Sequence, residues 1–351
     1  MNLLNSHEEY KASIFIWLIT LTIMVLAIII IGGLTRLTDS GLSMVDWQPI
    51  LGTIPPLSYN AWIEKFDLYK LSPEYLYVNK DMSLDEFKYI FWWEWFHRFL
   101  ARMIGIVLLL PLLYFTLIKY ISIALYKRIF FILLLGIIQA FVGWWMVKSG
   151  LNNDPYVSAY RLTFHLFNAL LIFLLLLWST IEYYYSKKIK FYSNIFSFEF
   201  LIFIAILLTL LTIITGGFMA GTHAGQSFNT YPLMNGKIFP DDYYLSSLGL
   251  LNIFENTIAI NFNHRWMGTI TFVYIFSLYL FFILIKFKNI SKLSIILVLI
   301  ILIFQFLLGI ITLISNVHIP YASLHQTNSI ILLSSLMFSY YQSKIRNSNN
   351  T

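Results

Sequence analysis

Long apolar stretches alternate with short polar intervals along the chain, and uncharged runs begin at Ser13, Gly105, Ile129, Leu162, Leu201, Trp266, Leu293 and Tyr321. A helix needs roughly 20 apolar residues to cross the hydrocarbon of a bilayer, so the pattern predicts an all-α integral membrane protein with eight transmembrane helices. The second run is the shortest. Its helix is expected to start near Trp92 and to carry Glu94, Arg98 and Arg102 in its outer turns. Trp92, Trp93 and Trp95, Tyr183 to Tyr185, and Tyr340 with Tyr341 suit the aromatic belt at the lipid–water interface. The interval 37–90 is too polar to span and too rich in Trp, Tyr and Leu for a simple linker. With Pro49, Pro55, Pro56 and Pro73 as punctuation, it reads as a small folded cap of short helices on the outer surface.

Composition agrees with a lipid-facing surface. Hydrophobic residues make up 59% of the 351 residues and charged residues 11%, where a soluble domain carries about 25% charged residues. The net charge of +6 is scattered between apolar runs, which reads as topology signal and excludes a nucleic-acid surface. Lys119, Lys127 and Arg128 lie between spans two and three, Lys187, Lys188 and Lys190 between four and five, and Lys286, Lys288 and Lys292 between six and seven. The tail adds Lys344 and Arg346, whereas the last opposite connection, 316–320, has no basic residue. The positive-inside rule then puts both termini in the cytoplasm. The first run is too long for a signal-peptide core, and the N-terminal tail has two glutamates and no arginine, unlike a transit peptide. A bacterial inner membrane is the expected location. No cysteine is present, which excludes disulfides, thiolate metal sites and covalent c-type haem attachment.

The chain repeats itself once. Gly32-Gly33 with the following Thr38, Gly41 and Ser43 lies over Gly216-Gly217 with Thr222, Gly225 and Ser227, His97-Arg98 over His264-Arg265, Gln139 and Gly143 over Gln305 and Gly309, and His165 with Asn168 over His325 with Asn328. The common order predicts two four-helix halves, 1–190 and 191–351. An even number of spans per half makes the repeats parallel, related by an axis along the membrane normal.

Four of the seven histidines fall at matched places: His97, His165, His264 and His325, all in the first turns of even-numbered spans and so near the outer face. Two helices per half each presenting one imidazole at similar depth suit axial ligation of a haem iron inside a four-helix bundle. Zinc takes four ligands, or three plus water, and fits less well. The bland reading, polar residues snorkelling at helix ends, suits any one of them but not four in register across a repeat. His7 in the tail and His318 in a short loop read as solvated, and His223, where the first half has Asp39, as packing at the outer mouth. Arg98 and Arg265, next to the histidines, suit haem propionates as well as they suit lipid phosphates. The glycine pairs allow close approach of helices. Three residues before His97 stands Glu94, on the same helix face, and its counterpart before His264 is Asn261. Beside a haem that carboxylate can accept a proton, orient water or stabilise developing positive charge. An ion pair with Arg98 is the plainer alternative.

The strings GGLTRLTDSGLSMVDWQPILGTIPPL from Gly32, FWWEWFHR from Phe91 and FNTYPLMNGKIFP from Phe228, with RLTFH, NHRWMG and LHQTN around His165, His264 and His325, closely resemble the haem A synthase family. The resemblance runs essentially from the first span to the last. It implies a pair of four-helix bundles and conversion of haem O to haem A by oxidising a ring methyl to a formyl group, for cytochrome oxidase. It further implies haem B ligated by His264 and His325 in the C-terminal half, substrate haem O held by His97 and His165, and Glu94 as the catalytic glutamate of the Glu-x-x-His motif. Some bacterial members carry a cysteine pair in the first outer loop; this chain has none and resembles the cysteine-free type of proteobacteria and mitochondria. Expected partners are membrane lipid, haem O, a haem O synthase, an unidentified electron acceptor and a second copy of the chain. The main rival is a di-haem b-type, quinol-linked electron-transfer protein, which uses the same four ligands without altering either haem. A repeat-built transporter is a second rival, although no span is visibly broken at mid-membrane.

Overall fold

The computed structural model describes residues 3–46, 51–152, 154–186 and 197–348. Among these the regular structure is helical, with one isolated β-bridge between Met234 and Lys237. The chain divides into two compact units, Met1–Tyr184 and Tyr185–Thr351. The expected boundary at 190, the lysines at 187, 188 and 190, and the side chain of His7 lie outside the described residues.

The first unit runs α1 (Leu3–Leu37), α2 (Tyr59–Lys70), α3 (Pro73–Tyr77), α4 (Leu84–Leu117), α5 (Ile123–Gly150) and α6 (Ala159–Tyr185). Serines start most of these helices: Ser58, Ser72 and Ser122 each accept a hydrogen bond from a backbone N–H of the first turn, which satisfies a donor that the helix itself leaves unpaired. Ser83 and Glu86 form a reciprocal capping box at the head of α4. That box starts α4 at Leu84, about two turns before the expected Trp92, so the helix projects out of the apolar zone into the cap. α1 packs along α4. Trp17 Nε1 donates to the carbonyl of Val107 at 2.8 Å, and the Thr22 and Thr180 hydroxyls meet at 3.0 Å between α1 and α6. In lipid, where apolar contact alone gives little preference for helix over tail, such polar links help set which faces meet.

The interval read as a cap holds α2, α3 and the outer turns of α4. Its core is aromatic: Phe66 stacks on Phe87 with centroids 5.0 Å apart, Trp62 meets Phe91 edge-on at 5.0 Å, and Tyr69, Phe87 and Phe91 are buried. One polar network runs through it. The Tyr69 hydroxyl donates to Glu74 Oε2 at 2.9 Å, and Asn79 Nδ2 donates to the Tyr69 oxygen at 2.8 Å. Burial pushes the Glu74 carboxyl up to about 8, against a smaller opposing effect of the Tyr69 hydrogen bond. Burial likewise raises the Tyr69 phenol.

The second unit runs α7 (Phe198–Gly221), α8 (Asn252–Glu255), α9 (Thr257–Leu284), α10 (Lys292–Ile314) and α11 (Ile319–Ser348). α7 packs against α9 and α11, and α10 against both α9 and α11. The Thr212 and Thr271 hydroxyls meet at 2.8 Å across α7 and α9, and Ser343 Oγ donates to the buried Glu199 carboxylate at 2.7 Å across α7 and α11. Among the described residues seven helices are long and apolar enough to cross a membrane: the segment Lys11–Leu37 of α1, then α4, α5, α6, α7, α9 and α10. α11 is long enough at 30 residues but carries many Ser, Gln, Asn and Thr residues, which lowers its apolarity below that of the other seven.

Candidate functional site

Each unit brings two histidines together with two glycines, and the pairing follows the repeat. A Cβ built on Gly32 of α1 would meet the His97 ring of α4 at 3.5 Å, and one on Gly143 of α5 would meet His165 of α6 at 3.0 Å. In the second unit Gly216 of α7 faces His264 of α9 at 3.2 Å, and Gly309 of α10 faces His325 of α11 at 2.9 Å. Cε1 is the nearest ring atom at Gly143, Gly216 and Gly309 and ties with Nε2 at Gly32, so each imidazole lies edge-in against a backbone that offers no side chain. The glycines therefore serve the imidazoles directly, a narrower role than general helix packing. Three histidines lie within the first two turns of their helices. His97 lies nearly four turns in, because α4 starts early.

In the second unit the His264 and His325 rings stand with centroids 6.5 Å apart and planes at 87°. Two imidazoles ligating one metal ion from opposite sides, each nitrogen about 2 Å from it, put their centroids roughly 6 Å apart, so the pair fits axial ligation. No group of three or more His, Asp or Glu residues converges among the described residues. The Thr215 hydroxyl meets His264 Nδ1 at 2.8 Å, and the Gln305 side-chain amide lies 3.1 Å from His325 Nδ1. Among the described residues the corresponding atoms of the first unit lack such partners: His165 Nδ1 is buried without a hydrogen bond, and His97 Nδ1 stands 4.0 Å from Glu94 Oε2. The matched Gln–Asn pairs recur. Asn168 donates to Leu135 O and Gln139 Oε1, and Asn328 to Ile301 O and Gln305 Oε1. Gln139, however, donates to the backbone of His165, where Gln305 turns to the ring of His325.

Glu94 is 4% exposed, and Arg98 Nε donates to its Oε1 at 2.5 Å. Its Oε2 takes no hydrogen bond among the described residues and faces the His97 ring. Asn261, at the matched place, donates to Ala224 O at 2.7 Å and so ties α9 to the turn after α7. Both arginines fold back on the loops that follow α1 and α7. Arg98 donates to Met44 O at 3.1 Å and, more weakly, Asp46 O at 3.4 Å; Arg265 donates to Phe228 O at 2.7 Å and Thr230 O at 2.8 Å. Arg265 Nε is buried without a partner. His223 and its counterpart Asp39 both adopt positive φ, 53° and 47°, so the repeat extends to a strained backbone position. His318 is exposed, its ring against Tyr321. Sequence reading singled out the histidines and Glu94 but not Thr215. The signal was a mismatch, since Ile31 stands before Gly32 where Thr215 stands before Gly216.

A family model described as cytochrome oxidase assembly protein, COX15-CtaA, matches residues 15–337. The chain is 41% identical to the haem A synthase of Wolbachia pipientis subsp. Culex pipiens over 92% of its own length and 95% of the relative's. It is also 41% identical to that of Pelagibacter ubique, covering 95% and 98%, and 39% identical to that of Nitrosospira multiformis, covering 93% and 92%. With the family model spanning nearly the whole chain and these relatives matched over more than nine tenths of both chains, the protein belongs to the haem A synthase family.

Proposed function

We propose that this chain is a haem A synthase, an oxidoreductase of a bacterial inner membrane that oxidises a ring methyl of haem O to a formyl group. The observation that carries this reading is the inequality of two otherwise matched sites. Both units hold an imidazole pair in a glycine cradle, and only the first has a buried carboxylate one turn before its histidine. An electron-transfer protein with two standing haems has no evident use for that difference.

In this reading His264 and His325 hold a resident haem B, which when bound supplies one-electron redox chemistry. His97 and His165 hold the substrate, haem O. Glu94 performs the proton work: Arg98 engages Oε1 and leaves Oε2 to accept protons released as the methyl is oxidised in successive steps. The same charge stabilises positive character developing at the ring edge. Arg98 and Arg265 hold the outer loops over the two pairs, and their remaining donors, Arg265 Nε among them, suit haem propionates. α11 is taken as an eighth span, since it carries His325 and packs along α7 and α10. The two units are then parallel repeats, with both termini cytoplasmic and the haem sites near the periplasmic face. Water supplies the formyl oxygen, the protons pass to Glu94, the electrons leave to an acceptor outside the chain, and a haem O synthase is the source of substrate.

Pyridine-hemochrome analysis and chromatography of haem from purified protein test this reading. His264→Ala or His325→Ala should remove a low-spin b-type spectrum or turn it high-spin. His97→Ala and His165→Ala should spare most of that spectrum and stop formation of haem A. An unchanged spectrum in both second-unit variants sinks the assignment.

A further inference from the structure

We infer that Thr215 is a positioning residue that fixes His264 as a permanent ligand, and that Ile31 at the matched place leaves His97 free, so that one unit retains its haem and the other exchanges it. This rests on the proposed haem A synthase function. The placing of the resident haem in the second unit belongs to that reading, and the inference adds the residue that secures it there.

One hydrogen decides the tautomer. A threonine hydroxyl has a single proton and two lone pairs. Thr215 Oγ1 donates that proton to the carbonyl of Thr212 at 2.8 Å, one turn back. Thr212 also hydrogen-bonds the His264 ring through its backbone, and with the threonine proton on that carbonyl the hydroxyl meets Nδ1 at 2.8 Å as an acceptor. Nδ1 therefore carries the proton, and the neutral ring presents the lone pair of Nε2, the tautomer a metal needs. Gly216, the next residue, closes on Cε1 of the same ring at 3.2 Å. A hydroxyl at one ring atom and a backbone at the next leave the imidazole little freedom to turn.

The first unit has the glycine without the hydroxyl. Gly32 faces the His97 ring at 3.5 Å, but the preceding residue is Ile31, which offers no polar atom. The polar side-chain atom recorded near His97 Nδ1 is Glu94 Oε2 at 4.0 Å, beyond hydrogen-bond range. Its partner ligand His165 has Nδ1 buried with no hydrogen bond. Neither ring has its tautomer or its torsion set from behind. Partners of this kind are worth roughly 10–100-fold in metal affinity. A synthase must hold one haem through many turnovers and release another in each, and the hydroxyl falls on the side that must hold.

The test uses the purified full chain loaded with haem B, with loss to excess apomyoglobin followed as a slow and a fast phase and the potential of the slowly lost haem titrated. Thr215→Val should speed the slow phase by roughly 10–100-fold and shift that haem's midpoint potential upward, because the ring N–H then keeps only the Thr212 backbone as acceptor and the imidazole becomes a weaker donor. Thr215→Ser should restore both parent values. Ile31→Thr should slow the fast phase. Parent rates and potential in Thr215→Val overturn the inference. Should Thr215→Val fail to assemble, an unchanged fast phase in Ile31→Thr overturns it instead, and a slowed one supports it. A parent protein that binds no low-spin haem dependent on His264 refutes the proposed function itself, a result distinct from either of these.

Discussion

Glu94 and Asn261 occupy matched places, yet one keeps a free carboxylate oxygen beside an imidazole and the other spends its amide on a backbone carbonyl. Glu94→Gln keeps size and hydrogen bonding but removes basicity. It should keep the haem held by His264 and His325 and cut haem A formation by about 10²–10⁴-fold, with haem O or a hydroxylated intermediate accumulating. Asn261→Ala should leave turnover within a few-fold and act mainly on stability, at a cost of about 1 kcal/mol for one hydrogen bond. Chromatography of membrane haem from both variants checks the contrast, and normal haem A output from Glu94→Gln would reduce the carboxylate to a partner of Arg98. The glycines make a second residue-scale prediction. A methyl on Gly309 meets the His325 ring at 2.9 Å, whereas one on Gly136 of α5 meets nothing within 4 Å. Gly309→Ala should cost about 1–3 kcal/mol and raise the high-spin fraction, and Gly136→Ala should leave the spectrum unchanged. The histidines were legible in the sequence because their order repeats. Thr215 was not, since a lone threonine in an apolar helix reads as an ordinary intrahelical hydrogen bond until its neighbour across the bundle is known.

At the scale of elements, helix starts are written in short motifs and helix lengths in apolar runs, and in α4 the two disagree. Apolarity puts its start near Trp92, but Ser83 with Glu86 sets it at Leu84, because a cap acts locally whatever medium surrounds the following turns. Ser83→Ala should destabilise the cap by about 1 kcal/mol without altering the haem spectrum. The cap's aromatic richness was legible, its buried carboxylic acid less so. Glu74 titrates at about 8 in the folded cap against an ordinary 4.5, so the native state holds the proton more tightly. The stability that comes with this is fully present below pH 4.5 and is lost as pH rises through about 8. Hydrogen exchange in residues 59–90 should therefore speed up between pH 5 and pH 9 beyond its intrinsic pH dependence. Glu74→Gln should flatten that excess; a response identical to the parent's would assign it to another group.

For the molecule as a whole, the apolar pattern yields a membrane protein at once, and the difficulty lies at its last helix. α11 pays for carrying His325, Asn328 and several serines with apolar character, and falls short of the other seven helices by composition. Its matched companion α6 holds His165 and Asn168 within a more apolar sequence. Reporter fusions after Lys188 and Lys288 should behave as cytoplasmic and fusions near Lys70 or Asn235 as external. External behaviour of a fusion after Ser348 would remove the eighth span. One further consequence follows from the way Arg98 and Arg265 reach the outer loops. Their acceptors at Met44, Asp46, Phe228 and Thr230 are main-chain oxygens, the one acceptor that every residue type supplies. The two guanidinium groups thus register where the chain passes and are blind to the letters it spells there. Changing a side chain at those positions leaves the arginine's acceptor in place, although Met44, Asp46 and Thr230 have side-chain partners of their own, whereas deleting a single residue between α1 and Met44, or between α7 and Phe228, slides the carbonyls out of reach. These loops tolerate a change of spelling far better than a change of spacing.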